Sequence, residues 1–331
     1  MRCRTLRSDA LALFASVALL AGCSTGVPMD VLDGVSPSME TTASTSRSVI
    51  PRSSVGSGAN SLAAVVGLVE RTEQRNEERS ISRAQPVTAY AALPGIVRQA
   101  FGDTKPIDFG RVTPQDHLVH GVDVSRWQGT IDWETLRKQG ANFAYIKATD
   151  GGDHLDPMFQ TNWRGAAAAG IARGAYHFFY WCRSGEEQAE WFIRNVPKEL
   201  GALPPVIDVE WNHQSACNQT LTPRLVISKM KAFMDRVERH YGQRPVIYAT
   251  PDFYADNLRG QFKDYPFWLR SVSAHPSERY PDREWVFWQY SGTGLSNGVT
   301  GEIDLNVFRG DKRQWHDWLI ANGVVPLVAS N

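Results

Sequence analysis

The sequence predicts an α/β protein whose C-terminal two thirds form an incomplete (β/α) barrel. Strand-like and helix-like segments alternate through most of residues 117–325, which is typical of a parallel sheet covered by helices. About eight strands fall within about 210 residues, which suggests a sheet closed on itself. The last three strands have no long helix between them. We therefore expect a TIM-barrel-like fold whose last strands lack full helices.

The predicted elements follow one another in a regular order along this part of the chain. The first helix, for example, has Asp132 in its first turn and Gly140 as its stop. The predicted strands are 118–124, 142–149, 172–180, the strand that carries Asp208 and Glu210, 244–249, 266–272, 285–290 and 303–308. The predicted helices are 131–139, 157–169, 185–195, 222–240, a short one near 252–258, and 312–321.

The N-terminus has the layout of an export signal. Arginines at three of the first seven positions precede an apolar run over 10–20, which is too short to remain as a membrane-spanning helix. The sequence Leu-Ala-Gly-Cys at 20–23 resembles a bacterial lipobox, which implies removal of residues 1–22 and lipidation of Cys23. An ordinary cleaved signal is the alternative. We therefore expect an exported protein that is anchored by lipid in the cell envelope. Because Ser24 instead of Asp follows Cys23, we expect the anchor to lie at the outer membrane, facing the periplasm.

Residues 23–116 are predicted to form a lipid-anchored, largely disordered linker. Ser, Thr, Gly and Pro dominate from 24 to about 61, and large apolar residues are few. Residues 61–80 and 91–101 have the pattern of short, marginal helices without a core of their own. The folded domain is therefore expected to span 117–325.

Composition excludes some classes of partner. Lys plus Arg and Asp plus Glu both number 35, so the net charge is zero and no basic field favours nucleic acid. The sequence has no His or Cys cluster with metal-ligand spacing and no glycine-rich phosphate loop, so we expect no metal and no cofactor. Beyond residue 23 the cysteines are Cys182 and Cys217, which in an exported domain predict one disulfide, with two free buried thiols as the alternative.

One short stretch brings two carboxylates together. Residues 204–211 read Pro-Pro-Val-Ile-Asp-Val-Glu-Trp, and the β-branched residues favour a short buried strand. Residues i and i+2 of a strand point to the same face, so Asp208 and Glu210 project together. Repulsion between the two favours a proton on one of them near neutral pH, as a general acid requires. The alternative is a strand end whose acids cap a helix or pair with arginines.

Acidic residues recur at or near the ends of the predicted strands. They are Asp123, Asp150, Asp208, Glu210 and Asp304. In barrels of this kind the chemistry lies at the carboxyl ends of the strands. We therefore expect these acids to meet in one pocket.

Several short motifs occur in a fixed order between 118 and 310. They are Gly-Val-Asp-Val-Ser-Arg-Trp-Gln-Gly (121–129), Ile-Asp-Trp (131–133), Phe-Ala-Tyr-Ile-Lys-Ala-Thr-Asp-Gly (143–151), Gly-Ala-Tyr-His-Phe (174–178), Pro-Val-Ile-Asp-Val-Glu (205–210), Pro-Val-Ile-Tyr (245–248), Trp-Gln-Tyr-Ser (288–291) and Ile-Asp-Leu-Asn (303–306). Together they resemble glycoside hydrolase family 25, the Chalaropsis-type lysozymes. The resemblance implies a muramidase that hydrolyses the β-1,4 bond between N-acetylmuramic acid and N-acetylglucosamine. Its expected partner is the glycan strand of peptidoglycan, and we expect it to act as a monomer.

Two positions depart from the family pattern. Asp150 stands where the family usually has Glu after Lys-Ala-Thr, so a contact made by this side chain is one methylene shorter. The segment Trp-Leu-Arg at 268–270 stands where family members tend to have Trp-Ile-Ala. An arginine at the rim of the expected pocket alters the charge that the substrate meets.

The expected general acid is Glu210, with Asp208 ionised beside it and keeping the proton on Glu210 by repulsion. Neighbours on one strand approach a sugar from similar directions, which fits a carboxylate nucleophile poorly. We therefore expect substrate assistance, in which the 2-acetamido oxygen attacks the anomeric carbon and Asp208 stabilises the oxazolinium. An inverting route, with Asp123 or Asp304 activating water, stays open.

Further positions are predicted to bind the substrate. Lys147 is either a substrate contact or an ion partner of Asp123, and the aromatic candidates fall in the matching motifs, although aromatic stripes are more often core. The predicted substrate-binding residues are Lys147, Asp150, Tyr176, Tyr248 and Trp288.

Two rival functions remain open at this point. One is a non-catalytic peptidoglycan-binding lipoprotein, which the joint presence of Asp123, Asp208, Glu210 and Asp304 disfavours. The other is a chitin-type glycosidase, in which an Asp-x-Glu strand is also expected.

Overall fold

A computed structural model describes residues 95–213, 215 and 217–325 of the chain. The predicted signal segment, Cys23 and the helix predicted over 61–80 lie outside the described residues. None of the helices in the described ranges combines the length and the apolar character that crossing a bilayer demands.

Ten strands form one sheet, and eight of them close into a barrel. In chain order they are β1 (Gly102–Asp103), β2 (His120–Val124), β3 (Phe143–Asp150), β4 (His154–Leu155), β5 (Ala172–Phe178), β6 (Val206–Val209), β7 (Val246–Ala249), β8 (Phe267–Arg270), β9 (Phe287–Leu295) and β10 (Ile303–Phe308). The short strands β1 and β4 pair with β9 and β3 outside the barrel ring. A pairing between β8 and β9 closes the ring. The prediction of a mixed α/β fold with a closed barrel is confirmed.

The last barrel strand runs in the opposite direction to the others. Strands β2 to β9 of the ring are parallel, whereas β10 lies antiparallel between β9 and β2. The sequence pattern predicted a parallel sheet and did not indicate this reversal. The connection 296–302 is too short for a helical crossover, and Gly298 and Gly301 turn it with φ of 97° and 89°. The start of β10 therefore lies at the same edge as the carboxyl ends of the other strands.

Helices cover the outside of the barrel unevenly. The α-helices of the described ranges are α1 (Trp133–Lys138), α2 (Phe159–Ala168), α3 (Gly185–Asn195), α4 (Pro223–Tyr241), α5 (Pro251–Asn257), α6 (Pro276–Arg279) and α7 (Lys312–Ala321). The six helices predicted within residues 117–325 are present, and the four-residue α6 was not predicted. Only α5 and α6 lie between β7 and β9, and the described connection from β9 to β10 carries no helix. The expected loss of long helices in the final third is confirmed.

Alternate residues of each strand face the barrel interior and the helix layer. Inside, Phe143, Tyr145, Trp268 and Phe287 fill the barrel, with the Tyr145 and Trp268 rings stacked at 5.0 Å, and Trp315 of α7 packs beneath them. Each fully buried aromatic side chain contributes roughly 2–3 kcal/mol by its removal from water. Strands that are buried on both faces carry apolar residues on both. The barrel interior is therefore a packed core, and a reaction site is expected at the carboxyl ends of the strands.

Residues 95–116 pack against the barrel. The Val97 N–H donates to the Oδ1 of buried Asn142 at 2.8 Å, and the Asn142 Nδ2 donates to the Val97 carbonyl at 2.9 Å. Gly140, at φ 104°, lets the chain pass so closely that a Cβ there would lie 2.3 Å from the Gln99 Cα. These contacts hold residues 95–101 in a non-helical course, so this part of the helix predicted over 91–101 is absent. The boundary predicted at residue 117 lies inside the packed region.

A disulfide joins Cys182 to Cys217, with their Cα atoms 5.2 Å apart, which confirms the predicted pairing. Cys182 follows β5 and Cys217 follows β6, so the bond ties together two loops at the carboxyl edge of the barrel. Next to it, the Trp181 indole N–H donates to the Glu210 carbonyl at 2.9 Å. The disulfide therefore supports the backbone at a candidate catalytic residue.

Candidate active site

The candidate acids come from three strands and meet at one end of the barrel. Asp123 ends the inward row of β2, and Asp208 lies on the inward row of β6 with Glu210 just beyond it. Asp304 pairs with Asp123 in the ladder between β10 and β2. Asp304 is the second residue of its strand, in agreement with the strand predicted over 303–308. Because β10 is antiparallel, its start lies at the edge formed by the carboxyl ends of the other strands. We call this end of the barrel the mouth.

Asp208 and Glu210 form a tightly interacting pair. The Asp208 side chain is buried, with 7% of the residue exposed, and its Oδ1 has no hydrogen-bond partner within the described part of the chain. Burial, followed by the Glu210 charge, raises the pKa of Asp208 well above its usual range. Burial also raises the pKa of Glu210, although Arg270, Lys147 and a side-chain hydrogen bond with Asp208 work in the opposite direction. The two carboxyl groups therefore hold one proton between them near neutral pH.

The two carboxyl groups of the pair have different electrostatic surroundings. The sequence pattern predicted the proton on Glu210 and the negative charge on Asp208. The Arg270 and Lys147 charges lower the pKa of Glu210 against the effect of burial, whereas burial and the Glu210 charge raise the pKa of Asp208 well above its usual range. The assignment of the proton to Glu210 therefore stays a prediction.

Asp123 and Asp304 form a second pair across two strands. The Asp123 Oδ1 accepts hydrogen bonds from Gln289 Nε2 at 3.0 Å and from Asn306 Nδ2 at 2.7 Å. Burial raises the pKa of Asp123 to about 6 even though both bonds oppose the change. Burial and the Asp123 charge raise the pKa of Asp304 well above its usual range. Asp123 is therefore the partner that ionises first.

The amides that hold Asp123 are themselves fixed by donors behind them. The Tyr248 hydroxyl donates to the Gln289 Oε1 at 2.9 Å, and the Trp268 indole N–H donates to the Asn306 Oδ1 at 2.8 Å. With each amide oxygen occupied in this way, the amide nitrogens must face Asp123. Sequence reasoning did not single out Gln289 or Asn306, although both lie in motifs that carried the family resemblance.

Lys147 and Asp150 form an ion pair at the mouth. The Lys147 Nζ lies 2.8 Å from the Asp150 Oδ1, and the ammonium also lies 4.8 Å from the centre of the Phe178 ring. Burial lowers the pKa of Lys147, but the Asp150 charge and hydrogen bond outweigh burial and raise it overall. Of the two readings open for Lys147, the ion pair is present, with Asp150 instead of Asp123 as its partner. The shorter Asp side chain therefore still reaches the lysine.

The three aromatic candidates have different surroundings. Tyr176 is partly exposed on the inward row of β5, and Tyr248 is buried beneath Gln289. Trp288 is fully buried on the helix side of β9, where its indole N–H donates to the Ser271 carbonyl at 2.8 Å. This burial contradicts the prediction that Trp288 binds substrate. The two-residue period of β9 turns Gln289 towards the mouth instead.

Arg270 completes the charged groups of the mouth. It ends β8 two residues after the inward Trp268 and is partly exposed. Its charge acts on Asp123, Glu210 and Asp304. No group of three or more His, Cys, Asp or Glu side chains suited to a metal ion occurs in the ranges that the structure describes.

Two other cavities lie away from these acids. Each has a volume of about 640 Å³ and is lined mainly by residues that precede the parallel strands or follow β10. Residues of the first include Leu118, Trp285 and Arg309, and those of the second include Leu203, Pro205 and Gln243. Both therefore open at the amino edge of the barrel, opposite the mouth. The arrangement at the mouth offers two proton-sharing acid pairs, which suits general acid–base chemistry on an acetal.

Comparison with known proteins identifies close relatives of this barrel. The sequence model of Glycosyl hydrolases family 25 matches residues 122–299. Lysozyme M1 of Streptomyces globisporus is 37% identical over 235 residues, which cover 68% of this chain and 79% of the relative. A family 25 glycosyl hydrolase structure from Bacillus anthracis has a TM-score of 0.56 and 39% identity over 61% of this chain and 94% of its own. The bacterial lysozyme structure from Streptomyces coelicolor has a TM-score of 0.55 and 35% identity, covering 62% of this chain and 98% of its own.

Proposed function

The chain belongs to glycosyl hydrolase family 25, from which we infer that it is a lysozyme. As a muramidase it hydrolyses the β-1,4 bond between N-acetylmuramic acid and N-acetylglucosamine in peptidoglycan. The observation that carries this function is the family match across the barrel, which contains Asp123, Asp208 and Glu210. We also infer that the closed barrel is a TIM-type barrel reduced in its last third.

We propose that Glu210 is the general acid and that Asp208 assists it. In the free enzyme the pair holds one proton. When the 2-acetamido oxygen of the substrate attacks the anomeric carbon, the glycosidic bond breaks and the proton passes through Glu210 to the leaving oxygen. Asp208, which is now ionised, stabilises the oxazolinium cation. Water then opens the oxazolinium, and its proton returns to the pair.

The buried geometry of the pair supports this sequence of events. The two side chains project from the same strand face and interact electrostatically, so the proton has a short path between them, and one shared proton before the reaction avoids two buried negative charges side by side. Lys147 lies close enough to lower the pKa of Asp208 once the proton has left. The positive charge of the oxazolinium further stabilises the two carboxylates after the proton has been transferred.

Asp123 supports a second route for the same reaction. With a pKa of about 6 it is ionised at neutral pH and could activate a water for direct attack. Substrate assistance retains the anomeric configuration, whereas this direct attack inverts it. Proton NMR of the first product formed distinguishes the two routes.

Replacing Glu210 by Gln tests the catalytic proposal. The variant should fold and bind purified cell wall but release no fragments, because the amide has no proton of suitable acidity to donate. Glu284→Gln is the matched control, since the Glu284 side chain is 88% exposed and pairs with Arg309. Retained clearing of a cell-wall suspension by Glu210→Gln would remove Glu210 as the acid.

Mass analysis of the released fragments tests the substrate class. Cleavage after muramic acid leaves muramic acid at the reducing end, which a chitin-type specificity would not produce. Binding without any released fragment from the unaltered protein would instead identify a peptidoglycan-binding lipoprotein.

We further propose that residues 1–22 are an export signal and that lipid on Cys23 anchors the enzyme in the cell envelope, at the outer membrane facing the periplasm. The supports are the apolar run and the Leu-Ala-Gly-Cys sequence. Replacing Cys23 by Ser should abolish incorporation of labelled fatty acid and move the enzyme to the soluble fraction. We propose a monomer, which sedimentation of the lipid-free variant tests.

A further inference from the structure

Arg270 occupies a defined position in the wall of the mouth. Its neighbour Leu269 faces the helix layer and Trp268 faces the barrel interior, so the two-residue period turns Arg270 inward above Trp268. The backbone there is held from two sides. The Tyr280 hydroxyl donates to the Arg270 carbonyl at 2.6 Å, and the Ser271 N–H donates to the Gln289 carbonyl at 2.9 Å.

The two inward cations of the mouth are on opposite walls. Lys147 belongs to β3 and Arg270 to β8, which are four positions apart in the eight-stranded ring. Lys147 is already engaged by Asp150 and the Phe178 ring. Within the described residues the Arg270 guanidinium has neither a hydrogen bond nor a direct ion pair, and its interactions with the acids act through space. Of these two cations, Arg270 is thus the one whose guanidinium N–H groups have no acceptor among the described residues.

A role as counterion alone does not account for this geometry. A guanidinium that serves to neutralise carboxylates normally makes short, often bidentate, hydrogen bonds to them. Glu210 and Asp304 both influence Arg270 electrostatically, yet neither is in direct contact with it. The five N–H donors of a partly exposed guanidinium are therefore available to a ligand that enters the mouth.

We propose that Arg270 is a specificity-determining residue whose guanidinium binds a carboxylate carried by the glycan substrate. The proposal rests on the muramidase function stated above. The mouth contains several acids that repel an anionic substrate, so a free guanidinium is the group that makes a carboxylate acceptable there. Two substituents of the glycan supply this chemistry. One is the lactyl carboxylate of muramic acid without a peptide, and the other is a free carboxylate of the peptide stem.

The test compares the full-length enzyme with Arg270→Gln and Arg270→Lys on paired substrates. Soluble peptidoglycan fragments are used with their carboxylates free or converted to neutral amides, and kcat/KM is measured on both. The readout is the ratio of the two values, because a general effect of the substitution on the catalytic acids cancels in it. We expect the unaltered enzyme to favour the free carboxylate and Arg270→Gln to lower the ratio about 10- to 100-fold, with Arg270→Lys in between.

The matched control is Arg309→Gln, which removes one arginine at the opposite edge of the barrel. Its ratio should equal that of the unaltered enzyme. Equal ratios for the unaltered enzyme and Arg270→Gln would overturn the inference while leaving the muramidase function intact. Failure of the unaltered enzyme to cleave any of the fragments would overturn the function itself.

A second pair of substrates identifies the source of the carboxylate. Removing the stems with an amidase leaves the lactyl carboxylate as the anionic group of muramic acid. An Arg270-dependent ratio that persists on these glycans assigns the lactyl group, and one that needs intact stems assigns the peptide.

Discussion

Replacing Asp123 by Asn is expected to stabilise the folded protein while it impairs catalysis. Asp123 is buried with 7% of the residue exposed, next to Asp304 on the neighbouring strand. The folded protein keeps this carboxylate charged at neutral pH against the effect of burial. Asn has nearly the same shape, and its oxygen can still accept the hydrogen bonds from Gln289 and Asn306.

The magnitude follows from the pKa. Burial raises the pKa of Asp123 from 3.8 to about 6, so the folded state binds a proton more tightly than the unfolded chain does. Stability due to this group is therefore lost as the pH rises from about 4 to about 6, and the loss amounts to about 3 kcal/mol above that range. Since the new amide N–H groups need acceptors, the net gain for Asp123→Asn is about 1–3 kcal/mol at pH 7.5.

Urea denaturation followed by tryptophan fluorescence measures this gain at several pH values. The difference between Asp123→Asn and the unaltered protein should be largest at pH 7.5 and fade towards pH 4. Asp132→Asn is a control of opposite sign, because hydrogen bonds from Thr135 to this exposed N-cap lower the pKa of Asp132. Asp132→Asn should lower the free energy of unfolding at pH values above about 4. A destabilised Asp123→Asn protein at pH 7.5, or a gain independent of pH, would refute the reasoning.

Three further outcomes are expected. Replacing Cys182 and Cys217 by Ser should lower the free energy of unfolding by about 3–4 kcal/mol in denaturation experiments, because the disulfide closes a loop with a sequence separation of 35. Trp288→Phe should lower it by about 1–3 kcal/mol and leave KM unchanged in a kinetic assay, since Trp288 packs on the helix side. A raised KM would instead indicate that Trp288 contributes to substrate binding. Lys147→Met removes a charge that lowers the pKa of Asp208. The alkaline limb of the kcat/KM profile should then move to higher pH, and an unmoved limb would separate Lys147 from the acid pair.

Much of the fold follows from local patterns. The helices Gly185–Asn195 and Lys312–Ala321 have the bounds that were predicted for them, and in the structure Ser184 and Asp311 cap their starts. The spacing of Asp208 and Glu210 on one strand also indicated a shared pocket, and the structure brings the two side chains together.

The orientation of β9 was not predictable in the same way. Trp288 and Gln289 are neighbours, and either could have faced the mouth. In a barrel strand both faces are buried, so apolar residues occur on both and polarity does not distinguish inside from outside. The contact between Phe109 and Trp288, with ring centres 4.9 Å apart, comes from a segment expected to be linker.

The chain pattern was sufficient for the identity and order of the elements, the two-residue spacing that pairs Asp208 with Glu210, and the acids at the strand ends, since these depend on neighbours along the backbone. The direction of β10, the inward side of β9 and the charges that surround the acid pair were decided by the assembled barrel. These properties depend on burial and on charges such as Arg270 that come from distant parts of the chain. These properties are set by contacts between strands, and the periodicity of residues along one strand does not reveal such contacts.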